Sequence, residues 1–329
     1  MKGVGNVRLS RLAWPAAALL LLLLFNLVFT EGFFRVEIRD GRLYGSLIDV
    51  LNRGAPVMLV ALGMTLVIAT GGVDLSVGAV MAISGSVAAW LISETGWGVG
   101  PLILVTLGAT VAAGCWNGAL VSLFGVQPIV ATLILMVSGR GIAQLITQGQ
   151  IITFEHPGFS FIGGGTLWGV PFTVVTVAAV SAGLGLLTRG TAMGLFIEAV
   201  GDNETASRYA GLSPRDIKTM VYALSGLCAG IAGMIVASDI KAADANNAGL
   251  YVELDGILAV VIGGTALTGG RFSLVGSLVG ALLIQTVTTT ILTRGVPVEY
   301  TLVVKALVVL IVCLLQSDRL RGLIMRSKE

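Results

Sequence analysis

Long apolar runs alternate with short polar breaks along almost the whole chain. A helix needs about 20 mostly apolar residues to cross the hydrocarbon core of a bilayer. The pattern therefore predicts an all-α polytopic membrane protein with about ten transmembrane helices in one domain, residues 12–315. The eighth run is short for a span. The predicted spans are 12–30, 55–70, 77–92, 101–124, 128–147, 171–187, 213–237, 254–267, 273–292 and 301–315.

The composition agrees with this pattern. Of 329 residues, 55% are hydrophobic and only 12% are charged, whereas soluble domains carry about 25% charged residues. The 45 glycines suit helices that approach closely in lipid. A net charge of +2 without a basic stripe excludes a nucleic-acid partner. With three cysteines in apolar runs and one histidine, we expect no metal site and no bound cofactor.

The distribution of Lys and Arg predicts the orientation of the chain. Residues 1–11, the loop 188–218 and the tail 316–329 together hold eleven basic residues, and we place all three in the cytoplasm. The segments assigned to the outside hold six, four of them in 31–53. The positive-inside rule favours this orientation, but 31–53 runs against it, and its side stays open. This polar segment has room for a short interfacial helix.

The loop 188–218 is much longer than the connectors of 2–8 residues that usually join packed helices. Asn203 is placed to cap one helix of two turns, and Gly211 follows it as a C′ residue. Ser213-Pro214 is a start signal for the seventh span. Apolar residues among balanced charges favour a docking surface over an ordinary solvated loop. These apolar residues are Leu195, Phe196, Ile197, Tyr209 and Leu212.

Asp74 is the one charge between about residues 54 and 93, and it lies in a glycine break. An acid at membrane depth is costly and indicates a functional role. The alternative is that Asp74 or Ser76 caps the next helix, and the two roles are compatible. A second break, 268–270, repeats the Thr-Gly-Gly of 70–72. Internal duplication, common in transporters, and chance similarity both remain open.

Two basic residues lie inside predicted spans, so each needs a polar partner. Arg140 needs either a partner acid, with Glu253 and Asp255 as candidates, or a polar cavity. For Lys305 the candidate is Glu299. Amides in or beside spans either match the hydroxyls of a sugar or join helices to one another. The candidate translocation-pathway residues are Asp74, Asn117, Gln127, Arg140, Gln144, Glu253 and Asp255.

No catalytic motif appears in the sequence. The pattern G-x-x-x-x-G-K-[ST] is missing, so we expect any ATP hydrolysis to take place in a separate chain. An ion-coupled secondary transporter is an alternative, and it predicts paired acids in the spans. A membrane scaffold without transport is a further alternative, and it leaves the polar breaks unexplained.

Four segments resemble the membrane permease of bacterial ABC sugar importers of the ribose and galactose class. They are ATGGVDLSVGA (69–79), QPIVATLILMVSGRGIAQLITQGQ (127–150), AVGDNETASRYAG (199–211) and ELDGILAVVIGGTALTGG (253–270). The resemblance covers nearly all of 45–317. Segments 40–57 and 238–255 resemble the galactofuranose permeases in particular. Ala266 departs from the family, which usually has Ser there.

The resemblance implies a type II importer permease with about ten helices, multi-pass in the bacterial inner membrane. It implies a cytoplasmic ABC ATPase that uses ATP and Mg, a periplasmic sugar-binding protein, and a second permease subunit, identical or related. A permease for another small solute, such as a branched-chain amino acid, is the alternative. The family's coupling helix corresponds to the loop around 198–211. The implied coupling residues are Glu198, Gly201, Asn203, Arg208, Tyr209 and Gly211.

Overall fold

The computed structural model describes residues 4–39, 42–297 and 300–316, and its long elements are all α-helices. Ten of them coincide with the ten predicted spans, and three shorter helices lie between. The helices are α1 Val4–Phe29, α2 Ser46–Ala69, α3 Val77–Glu94, α4 Val99–Ser122, α5 Pro128–Ile146, α6 Pro157–Gly164, α7 Phe172–Arg189, α8 Met193–Asp202, α9 Glu204–Tyr209, α10 Pro214–Ile240, α11 Val252–Ile262, α12 Leu274–Thr293 and α13 Thr301–Gln316.

Within the described ranges, seven helices are long and apolar enough to cross a membrane: α2, α3, α4, α5, α7, α10 and α12. In α1 the apolar part is Ala13–Phe29, although the helix itself begins at Val4. The chain is therefore a multi-pass membrane protein. The tail 317–329 and its four basic residues lie outside the described residues.

Short antiparallel strand pairs close the connections between helices. β1 (Glu37–Arg39) pairs with β2 (Arg42–Tyr44), and this hairpin occupies the place where a short interfacial helix was expected. α2 then begins at Ser46, nine residues before its predicted start. The other strands pair β3 with β6 and β4 with β5. They are β3 Ile152–Thr153, β4 Thr166–Leu167, β5 Val170–Pro171 and β6 Ala242–Ala243.

The spanning helices fall into an interior set and a peripheral set. Between 67% and 78% of the residues in the apolar windows of α2, α3, α10 and α12 are buried, against 22–28% for α4, α5 and α7. Glycines allow the interior helices to touch backbone to backbone. A Cβ at Gly63 of α2 would lie 2.9 Å from the Cα of Ser225 in α10, and one at Gly114 of α4 would strike the carbonyl of Tyr222. These contacts hold the bundle together by close packing.

Three non-helical segments enter the bundle. The first break (70–76) separates α2 from α3, and the second break (263–273) separates α11 from α12. The connector (241–251) joins α10 to α11, and its Gly249 packs on Gly78 in the first turn of α3. α11 has only 11 residues, about 17 Å of helix, and does not cross a bilayer alone. We call the end of the bundle that carries α8 and α9 the loop end, and the opposite end the far end.

Candidate functional site

The predicted cap and stop of the helix in loop 188–218 are confirmed. The Asn203 side chain accepts a hydrogen bond of 2.9 Å from the N–H of Ala206 and caps α9. At the other end Gly211 has a φ of +87°. The N–H of Leu212 donates to the Ser207 carbonyl, and the N–H of Gly211 donates to the Arg208 carbonyl, both at 3.0 Å. This is the Schellman arrangement, which satisfies the last carbonyls of a helix.

The loop contains a second helix, α8, whereas the sequence predicted only one. Ile197 and Val200 are buried and pack with residues of α2, α7 and α10. With Met193 they follow the i, i+4, i+7 spacing of an amphipathic helix, which is the sequence signal for α8. Ser213 is the residue before α10 as predicted, but its side chain makes no capping hydrogen bond.

α8 and α9 present an outward face that mixes apolar and charged side chains. Tyr209 is 88% exposed and Leu195 is 70% exposed. Arg208 is also exposed, and Glu198 is half-buried. Lys218 of α10 donates to Glu204 of α9 at 2.6 Å. The two caps and this ion pair hold a mixed surface in one position relative to the bundle.

Gly201, near the end of α8, touches the end of α2, directly before the first break, and the second break. A Cβ at Gly201 would strike the Ala69 carbonyl at the end of α2 and would lie 2.6 Å from the Gly270 nitrogen. The N–H of Gly270 donates to the same Ala69 carbonyl at 2.9 Å. A Cβ at Gly269 would lie 2.8 Å from the Gly71 nitrogen. The repeated Thr-Gly-Gly segments therefore meet each other and α8 at the loop end.

Asp74 anchors the first break to α10. Its Oδ1 accepts from the Ser76 N–H at 3.0 Å and from the Ser76 Oγ at 2.6 Å, and its Oδ2 accepts from the Ser225 Oγ at 2.8 Å. Asn117 of α4 donates its Nδ2 to Ser76 Oγ at 2.8 Å, while its own Oδ1 is buried without a hydrogen-bond partner. Ser76 precedes α3, but its side chain makes no capping bond to that helix. Ser225 was not predicted, because a serine in an apolar run carries no signal of its own.

Arg140 does not form the ion pair that was predicted for it. Its Nη1 donates to two carbonyls of the connector, Ala245 at 3.1 Å and Ala248 at 2.6 Å. Gln144, one turn further along α5, donates its Nε2 to Asn246 Oδ1 at 2.7 Å. Glu253 is buried in the first turn of α11, and its Oε2 faces Gly78. The connector, α3, α5 and α11 thus meet around these side chains.

Among the described residues, the acid that Lys305 contacts is Asp255, which was not the predicted partner. Lys305 of α13 donates to Asp255 Oδ2 of α11 at 2.9 Å, and Glu299 lies outside the described residues. Asp255 therefore pairs with Lys305 instead of Arg140. This pair could not be predicted, because the two residues are 50 positions apart and hydropathy carries no information on which helices touch.

The predicted pathway residues form separate groups. Asp74 and Asn117 share one buried cluster, and Arg140 and Gln144 share the edge of the connector. Gln127 lies just before α5, and its side chain makes no capping bond there. No group of three or more His, Cys, Asp or Glu side chains in the described ranges is placed to hold a metal ion.

Asp244 is the acid of the connector. Hydrogen bonds from the side chain of Asn247, and from the backbone of Asn247 and Asn246, together with the charge of Arg140, hold the pKa of Asp244 below its usual range despite some burial. The carboxylate is therefore ionised at neutral pH and organises the turn that begins the connector.

Comparisons with known proteins place the chain among transport permeases. The family described as "Branched-chain amino acid transport system / permease component" matches residues 46–313. The chain is 54% identical to the galactofuranose transporter permease protein YtfT of Escherichia coli K12, over 97% of this chain and 95% of that one. It is 41% identical to the fructose import permease protein FruF of Bifidobacterium longum, over 97% and 91%.

A third relative is the ribose import permease protein RbsC of Bacillus subtilis, with 39% identity over 83% of this chain and 85% of that one. No solved structure matches the chain.

Proposed function

Because this chain belongs to the family of the branched-chain amino acid transport system permease component, we propose that it is the membrane subunit of an ATP-driven monosaccharide importer. The names of the relatives favour a sugar over an amino acid, since three of them refer to galactofuranose, fructose and ribose. The 54% identity to a galactofuranose permease makes that sugar the proposed cargo. The proposed location is the bacterial inner membrane.

The contact of Gly201 with the end of α2 and with the second break carries the mechanistic part of the proposal. A cytoplasmic ATPase binds the outward face of α8 and α9, and ATP-driven closure of the ATPase displaces them. Since Gly201 touches the Ala69 carbonyl and Gly270 with no side chain between, α8 transmits its displacement to α2 and to the second break. The spans then tilt and the pathway opens to the other side. The ATPase uses the ATP and Mg, and this chain forms no covalent bond.

The proposed assembly has three further kinds of subunit. A second permease, either a copy of this chain or a related one, completes the pathway against the exposed faces of the peripheral helices. Two ATPase domains bind at the loop end, and a periplasmic sugar-binding protein delivers its cargo to the far end. Purification of the tagged chain from its native membrane, followed by mass spectrometry, tests this assembly. Recovery of the chain without any ATPase under mild detergent would contradict it.

Replacing Arg208 and Tyr209 with Ala tests the docking surface. Both side chains are exposed, so their removal costs the folded chain little stability, while the proposed ATPase contact loses an aromatic ring and a positive charge. We expect at least a tenfold fall in uptake, or loss of the ATPase on purification. Thr205→Ala, exposed on the same helix, is the matched control. Normal co-purification with normal sugar-stimulated ATP hydrolysis in the double variant would show that the ATPase docks elsewhere.

A further inference from the structure

The connector runs through the bundle as non-helical chain at membrane depth. Arg140, which binds the carbonyls of Ala245 and Ala248, lies six residues before the end of α5, about 9 Å along the helix. The Gly249 backbone then reaches Gly78 in the first turn of α3. The connector therefore does not rest on the far end of the bundle but descends along α3 and α5.

Non-helical backbone at this depth is stable only where protein buries it or where it borders water. One side of the connector is buried, because Ala243, Ala245 and Gly249 pack inward. The other side presents Asn246 and Asn247, both exposed. Two exposed amides at membrane depth would be costly against lipid, so this side borders water.

The far-end half of α5, which adjoins the connector, exposes polar residues together with apolar ones. In the first half of the helix the exposed residues are apolar, as at Ile134 and Val137. From Ser138 onward the helix borders an open recess of about 580 Å³. Its lining includes Ser138, Gly141, Gln144 and Gln148, with Ile142 and Leu145.

Gln144 joins the recess to the connector through its hydrogen bond of 2.7 Å to Asn246. Gln148 has a φ of +53°, an unusual conformation for a residue with a side chain, and it is exposed at the end of the recess. The amides of Gln144 and Gln148 and the hydroxyl of Ser138 therefore border one concave surface, with apolar side chains between them. This mixture suits a sugar ring, which presents hydroxyl groups at its edge and C–H groups on its faces.

On the basis of the proposed function, we infer that the far-end half of α5 and the connector form the wall of the sugar pathway, with Ser138, Gln144, Gln148, Asn246 and Asn247 as its hydrogen-bonding groups. The wall is open in a single chain, and the second permease subunit closes it from the opposite side. The sugar moves along this wall by exchanging one set of amide hydrogen bonds for the next. The apolar half of α5 lies beyond the wall, towards the loop end.

Cysteine labelling of the complete transporter in vesicles tests the inference. Ser138→Cys and Asn246→Cys place a thiol on the proposed wall, and Leu186→Cys places one on the exposed apolar face of α7 as a control. We expect a charged, membrane-impermeant maleimide to label the two wall positions at least tenfold faster than position 186. The unsubstituted chain, which retains its native cysteines, gives the background. Galactose, fructose and ribose, each supplied with the binding protein and ATP, are compared as protecting sugars.

We expect the transported sugar to slow wall labelling at least threefold, and leucine to leave the rate unchanged. Labelling of the wall positions no faster than position 186 would overturn the inference, and so would a cross-link between two copies of the Ser138→Cys variant without any labelling. Equal labelling rates of the wall positions in the presence and in the absence of each sugar would show that no sugar contacts the wall. Uptake by the unsubstituted complex is measured in the same vesicles. Absence of ATP-dependent sugar uptake there would overturn the proposed function, whereas normal uptake with an unlabelled wall overturns only the inference.

Discussion

At the residue scale, Gly201 matters for its missing side chain. Its backbone conformation is ordinary helix, so another residue would adopt the same φ and ψ. A side chain is excluded at this position by sterics, because its Cβ would overlap the Ala69 carbonyl and the Gly270 nitrogen. Both obstacles are backbone atoms, which cannot rotate away as a flexible side chain would. Any side chain here must separate α8 from the breaks.

Gly201→Ala is therefore expected to lower sugar uptake at least tenfold while the chain still inserts and still binds its ATPase. The physical reason is that α8 moves away from the end of α2 and no longer drives the breaks. The measurement is uptake together with ATP hydrolysis, which continues without transport. Gly185→Ala on α7 is the control, since nothing lies within 4 Å of the Cβ that it adds. Equal loss in both variants would contradict a specific role for the Gly201 contact.

Asp74→Asn separates the charge of Asp74 from its shape. The amide keeps one oxygen for the two Ser76 donors, and its NH₂ group can donate to the Ser225 hydroxyl. Hydrogen bonds to a charged acceptor are stronger than those to a neutral one. The junction between the first break and α10 therefore loosens, and we expect uptake to fall about tenfold with assembly unchanged.

Asp74→Ala gives the comparison for Asp74→Asn, because it leaves buried donors without an acceptor at about 1–3 kcal/mol each and lowers the yield of folded protein. If the Asp74→Asn variant takes up sugar at the unsubstituted rate, the only role of Asp74 is to hold the turn of the first break.

At the scale of elements, α9 is too short to be stable by itself. It has six residues, and isolated helices shorter than about 12 residues are marginal in water. The Asn203 cap, the Gly211 closure and the Lys218–Glu204 ion pair supply the missing stability. None of these three contacts uses the side chain of Arg208 or Tyr209, so both side chains stay exposed on α9.

Asn203→Ala should destabilise α9 by about 1 kcal/mol, because the N–H of Ala206 loses its acceptor. Hydrogen exchange of the loop in the detergent-solubilised chain measures this as about fivefold faster exchange within α9. Thr205→Ala is the control, and exchange in the spanning helices should not change in either variant. If α9 exchanges at the same rate in Asn203→Ala and in the unsubstituted chain, the cap does not hold the helix.

The sequence predicted the spanning helices well because hydropathy and length decide them locally. It also predicted both ends of α9, since Asn203 and Gly211 act on neighbouring backbone groups. It did not predict that the two Thr-Gly-Gly breaks touch each other, or that Lys305 pairs with Asp255. Those contacts depend on which helices are neighbours, and glycine has no side chain to indicate a partner. The hairpin in 31–44 was missed because strands of three residues give no periodic signal.

At the scale of the whole molecule, three charged side chains that the structure describes within the bundle are held by other protein groups. Asp74 is bound by serines, Lys305 by Asp255, and Arg140 by carbonyls of the connector. An ion-coupled transporter would need acids that bind and release an ion or a proton during each cycle. The observed bonds suit a chain whose energy comes from a partner instead.

We therefore expect right-side-out vesicles that contain the full complex to take up sugar only when ATP is loaded inside them. A proton or sodium gradient without ATP should give less than a tenth of that rate. The measurement is uptake of radiolabelled sugar, with a Walker-motif variant of the ATPase as the control. Uptake that persists on a proton gradient alone would favour the secondary-transporter alternative.

The burial of α2 by later helices has a consequence for synthesis of the chain in the cell. Pro214 of α10 follows Ala69 of α2 by 145 residues, and Leu274 of α12 follows it by 205. At roughly 5–20 residues per second, α2 waits about 7–30 s for α10 after leaving the ribosome. Thr65 of α2 donates to the Ala61 carbonyl of its own helix as well as lying 2.6 Å from Ser277 of α12. That internal hydrogen bond lets the nascent α2 remain in lipid until its permanent neighbours are made.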